Sequence, residues 1–140
     1  MTKRLRDWQS RLSVCLAERW ARPFVWGQQD CALFAADCMA SCTGEDPAAE
    51  LRGTYRDAVG AAAVIRRLGG LAEIAAARAG EEVPPSMAQL GDVGLVSSAG
   101  RDCLAVCAGD GWVAPAADGL ARAPLTAASR AWRLVRTEDL

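Results

Sequence analysis

Phe24-Val25-Trp26-Gly27-Gln28-Gln29-Asp30-Cys31, followed without interruption by Ala32-Leu33-Phe34-Ala35-Ala36, is the stretch that decides the fold. A polar loop ends on Asp-Cys and runs into an apolar helix. Asp30 is an N-cap residue by type, and Gly44 is a stop signal, so the spacing predicts a helix from Cys31 to about Thr43. A cysteine in the first turn of a helix faces unpaired backbone N–H groups and the positive end of the dipole, which favour a thiolate. Thiol hydrolases present their nucleophile in this way, but they also need an imidazole to take and return protons near neutral pH. The 140 residues contain no histidine. The most enzymatic feature of the chain therefore lacks its proton carrier.

Leu5, Trp8, Leu12, Cys15 and Leu16 recur at helical spacing and predict a first helix over 4–21, ended by Arg22-Pro23. Residues 45–55 read as an irregular crossing, 56–68 as an alanine-rich helix closed by Gly69-Gly70, and 71–79 as a short helix. Val83-Pro84-Pro85 marks a break. The second half reads as short strands at 92–97, 103–108 and 112–115, with weaker ones at 119–123 and 131–135 and a turn or short helical piece across 125–130. Helices first and an antiparallel sheet afterwards predict a single α+β domain over 1–140, with a helical half at 1–80 and a β-sheet half at 90–136.

Composition bounds the function. A net charge of −1 leaves no basic field for nucleic acid, and no apolar run reaches the ~20 residues of a membrane span. The N-terminus lacks a secretory pattern, and a reducing cytoplasm is expected. Cys38 and Cys42 fall within about 20° of Cys31 on a helical wheel. In the strand 103–108, Cys103 and Cys107 share a face with Ala105. Should that face meet the helix, the two sets of sulfurs would lie close together. Cysteine as a small core residue outweighs two sharper readings, a Cys31–Cys103 redox pair and a thiolate metal or iron–sulfur site. The spacings lack the C-x2-C pairs of zinc ribbons and the ferredoxin patterns, so neither metal nor cofactor is expected.

The joint pattern Trp26-Gly27, Asp30-Cys31, Phe34-Ala35-Ala36-Asp37, Thr43-Gly44-Glu45-Asp46-Pro47 and Arg52-Gly53-Thr54-Tyr55 resembles a small family of tailed-phage and prophage proteins related to the NlpC/P60 cysteine peptidases. Leu90-Gly91-Asp92-Val93-Gly94-Leu95-Val96 resembles the strand before the catalytic histidine strand of that group, and Cys103-Leu104-Ala105-Val106-Cys107 resembles the histidine strand itself. The resemblance spans roughly residues 20–135. It implies a papain-like fold, N-terminal helices packed on a small antiparallel half-barrel, with Cys31 at the nucleophile position and Cys103 at the histidine position. Val113, Ala114 and Pro115 occupy the region of a third catalytic member.

What the resemblance implies is a non-catalytic structural or assembly component of a phage tail, near the tip or baseplate. Its partners would be other tail proteins, its place the virion, and its site of assembly the host bacterial cytoplasm. Trp26, Gln28 and Asp30 are the expected cleft rim. The cleft, bordered by the 26–30 loop and the 97–102 turn, is expected to be shallow or plugged, with Cys31 at most partly accessible. The alternatives are a thiol-dependent peptidoglycan amidase or peptidase with Cys31 as nucleophile, and a cysteine-ligated metal or iron–sulfur protein of the tail. Asp30, Asp37 and Asp102 are the carboxylates nearest in sequence to act as an unusual base, with Asp30 expected to be an N-cap and the other two solvated.

Overall fold

The structure, a computed structural model, describes residues 3–98 and 100–140. Among them, α1 (Trp8–Arg19), α2 (Cys31–Thr43), α3 (Ala58–Arg67) and α4 (Leu71–Arg78) precede six strands. These are β1 (Glu82–Val83), β2 (Val93–Ser98), β3 (Arg101–Cys107), β4 (Trp112–Ala116), β5 (Gly119–Ala123) and β6 (Ala128–Trp132). They form one sheet in the order β1-β6-β2-β3-β4-β5, with every neighbouring pair antiparallel. The protein is α+β.

Helix α2 has the bounds its sequence predicts. The Asp30 side chain accepts from Leu33 N–H, and Gly44 closes the helix in the left-handed region at φ 81°. Nearly all of its length is buried, because one side packs on α1 and the other on the sheet. The main core joins Leu12 and Cys15 of α1, Phe34, Cys38 and Cys42 of α2, and Leu104 and Val106 of β3. Fully burying a large apolar side chain is worth about 1.5–3 kcal/mol, so this layer carries most of the stability.

The pleat of β3 places its residues opposite to one expectation. Leu104 and Val106 face the helices, while Cys103, Ala105 and Cys107 turn to the other face with Val96, Trp112, Ala128 and Ala131. The branched, bulkier side chains fill the helix–sheet gap, and the small ones make room for the Trp112 ring. That ring lies over Gly94, where an added Cβ would come within 2.7 Å of ring carbons. The Trp112 indole N–H donates to the Leu125 carbonyl oxygen at 3.1 Å, closing the sheet's second face.

The last strand also shifts. It runs over Ala128–Trp132 rather than 131–135, and the helical piece shrinks to one 3-10 turn, Leu125–Ala127. Leu134 and Val135 look like strand residues because they are apolar, and they are buried. The chain has by then left β2, however, and both pack in the main core beyond the sheet. Asp92 causes that departure: it is 3% exposed and accepts from Leu134 N–H at 2.9 Å, from Gln89 N–H and from the Arg133 guanidinium. The two-residue β1 forms at the Val83-Pro84-Pro85 break, where no strand is expected.

Replacing Gly94 by alanine forces the Trp112 ring to move. The variant is expected to lose about 1–3 kcal/mol of stability, read as a lower urea midpoint with an unchanged slope; an unchanged midpoint would contradict the packing described.

Candidate functional site

The loop before α2 is folded around the Asp30 carboxylate. Its Oδ1 accepts from Leu33 N–H at 2.9 Å, and its Oδ2 accepts from Gly27 N–H at 2.9 Å and from the Tyr55 hydroxyl at 2.6 Å. Asp30 is 1% exposed, so these three donors replace its water shell. Charge-assisted hydrogen bonds of this kind are short and roughly twice as strong as neutral ones. Gly27 is needed for the turn: φ is +80°, and a Cβ would collide with the Tyr55 carbonyl oxygen. Burial, followed by the bond to Asp30, pushes the Tyr55 hydroxyl far up, leaving it a permanent donor. Tyr55 is a site residue that the sequence offers only as part of a motif, without a role.

This folding delivers Cys31 to the mouth of a groove of about 650 Å³. Phe24 and Trp26 form one wall, packed edge to face with centroids 4.7 Å apart. Ser98, Arg101 and Asp102 form the opposite rim, with the Arg101 guanidinium 6.0 Å from the Trp26 ring centroid. The floor is made largely of alanines from β3, β4 and β5, whose small side chains leave the space open. The cleft is therefore open rather than plugged, and Cys31 is half-buried at its end. Ala99, in the expected bordering turn, lies outside the described residues.

Cys31 and Cys103 line the same groove, both half-buried. Cys103 lies on the interior strand β3, and the backbone amide of its neighbour Leu104 reaches the Cys31 sulfur. Burial pushes the Cys31 thiol up to about 12, the Leu104 and Ala32 amides oppose that shift, and the neighbouring Cys103 and Asp30 reinforce it. The Cys103 thiol is also raised, first by burial and then by Asp102. The position is thus favourable for a nucleophile, but the sulfur is held as a thiol at neutral pH.

The other expected residues divide. Trp26 lines the groove, while Gln28 is exposed in the Val25–Gln29 turn and is not among the lining side chains. Asp30 lies beneath the rim rather than on it, with its lone pairs committed. Asp37, expected to be solvated, is instead an ion-pair hub, 2.7 Å from Arg52 and 3.3 Å from Arg19, and Arg52 continues to Asp46 at 2.6 Å. Asp102 is exposed. Cys38 and Cys42 face α1, not the groove. Among the described residues, no group of three or more Cys, Asp or Glu side chains is arranged to hold a metal ion, and no helix is long and apolar enough to cross a membrane.

The family pattern described as "Domain of unknown function (DUF6950)" matches residues 3–134, from just before α1 to just after β6. The chain belongs to the DUF6950 family. The DUF6950 match takes in the Asp30 cap, the groove and both of its thiols. No curated protein matches the chain significantly.

Asp30→Asn leaves at most part of the carboxylate's acceptor set and is expected to lower stability by about 1–3 kcal/mol, and Tyr55→Phe by about 1 kcal/mol. Chemical denaturation measures both; an Asp30→Asn midpoint equal to wild type would remove the cap from its central place.

Proposed function

We propose that this DUF6950 protein is a catalytically silent relative of the NlpC/P60 peptidases, with a papain-like half-barrel retained as a binding and assembly component of a phage tail. The observation that carries the reading is the pairing at the groove's end. A thiol, Cys31, starts the central helix and a second, Cys103, lines the same groove; on the family resemblance these are the positions of the nucleophile and of its proton carrier. Cys103 cannot do the work of an imidazole: two adjacent sulfurs resist ionising together, and neither returns a proton to a leaving amine near neutral pH. A Cys31 thiol pushed up to about 12 supports the same conclusion.

The groove that remains is suited to holding a partner. It offers an aromatic wall, an arginine on the opposite rim and a smooth alanine floor. Tryptophan and arginine are the residue types enriched at binding hot spots. Other tail proteins, near the tip or baseplate, are the proposed partners, and the assembled virion is the proposed location. A second reading, a thiol-dependent peptidoglycan amidase, is favoured by one feature only, the open groove above Cys31.

Purified protein incubated with peptidoglycan separates the two. The expected result is no cleavage above that of Cys31→Ala, together with the chain's presence in purified tails. Trp26→Ala is expected to lower its incorporation about tenfold or more. Turnover that disappears in Cys31→Ala, or tails that lack the chain, would overturn the proposal.

A further inference from the structure

A second hollow, of about 710 Å³, lies at the opposite end of α2 from Cys31 and shares no lining residue with the groove. The last turns of α2 and α4 and the chain leaving β6 wall it. Its charged lining is acidic: Glu45, Asp46, Glu138 and Asp139 stand against Arg78 and Arg136. Two of these charges are answered from outside the hollow, Asp46 by Arg52 and Arg78 by Glu50, each at 2.6 Å. Helix α2 ends here with no basic residue in its last turn, so the negative end of its dipole adds to the preference for a cation.

Two orphaned groups lie on the walls of this same hollow. Among the described residues, the buried side-chain polar atoms without a hydrogen-bond partner are Asp139 Oδ1 and Arg78 Nε, and both residues line it. Asp139 is only 4% exposed. Leaving a carboxylate oxygen and a guanidinium N–H unpaired away from water is costly, and buried polar groups are almost always paired. One of the two calls for a cationic donor and the other for an oxygen acceptor. A ligand that carries both would satisfy the pair.

We propose that this hollow captures the free amino terminus of a peptide, the α-ammonium pairing with the Asp139 carboxylate and the first carbonyl oxygen accepting from Arg78 Nε–H. Other cations fit the lining less well. A lysine side chain has no oxygen beside its ammonium. A free amino acid would bring another carboxylate to an acidic lining, where Arg78 already has Glu50 as its counter-ion. A metal ion needs several converging ligands, and no group of three or more is so arranged among the described residues. Met39, Pro47, Leu134 and Val135 offer an apolar surface to the first side chains of the peptide. Neither orphaned atom is open to water in the free protein. Binding therefore includes a small movement of the turn that carries Asp139, a single 3-10 turn over Thr137–Asp139 outside the sheet.

The test is a heteronuclear NMR titration of the full chain at about pH 6.5, where an α-amino group is protonated. The expected result with alanyl-alaninamide is saturable shifts at the residues lining the hollow. Propylamine, which lacks the carbonyl, should bind roughly tenfold more weakly, and the N-acetylated dipeptide amide should not bind. Asp139→Asn should abolish binding yet leave the urea midpoint unchanged or higher, because it removes a buried charge that has no partner. Arg78→Lys, which keeps a charge for Glu50 but loses the Nε donor, should weaken binding roughly tenfold. No saturable shift with alanyl-alaninamide, equal binding of its acetylated form, shifts centred on the groove at Trp26 instead, or a lowered midpoint in Asp139→Asn would each overturn the proposal.

Discussion

One buried carboxylate organises the loop and helix start that border the groove. Asp30 caps α2, ties the 25–29 turn through Gly27, and fixes the 45–55 crossing through Tyr55. Two of these connections are local, three residues to either side, and the third brings in Tyr55 from 25 residues along the chain; the donors and the buried carboxylate satisfy one another. With the cap formed, Trp26 stands on the groove wall and Cys31 at its end. Without it, the loop keeps its own 25–29 backbone turn and the bond from Phe24 N–H to the Ala116 carbonyl oxygen but loses its ties to the start of α2 and to Tyr55. Asp92 does comparable work on the opposite side of the core, holding the start of β2 to the chain leaving β6.

The same arrangement sets the balance at the Cys31 thiol. A helix start and two backbone amides pull the Cys31 thiol toward ionisation, and burial outweighs them. In a working thiol hydrolase, a positive imidazolium beside the sulfur tips that balance. Here the neighbour is Cys103, which adds repulsion instead.

Much of the fold is legible in the sequence, because local signals and tertiary packing agree. Asp30 and Gly44 bracket α2 as capping chemistry predicts, and the helices over 58–67 and 71–78 lie within a residue or two of their periodicity. The failures have a common cause. Which face of β3 meets the helices depends on the volume opposite, and only the structure shows that Trp112 needs the small side chains of Gly94, Ala105 and Ala131. The end of β6 depends on Asp92, some 40 residues earlier in the chain. At the site, Cys31, Cys103 and Trp26 could be named from motif position, whereas Tyr55 and Arg101 could not. Their roles arise from contacts between segments far apart in sequence.

A silent groove requires Cys31 to be a thiol rather than a thiolate, and its alkylation rate in the folded protein measures that directly. Iodoacetamide labelling followed by mass spectrometry across pH should give a rate that is slow at neutrality. Because the folded thiol is raised to about 12, the rate should still be climbing through the alkaline range as far as the fold survives. A rate that levels off at or below neutral pH would mean an activated sulfur, and would contradict a silent groove.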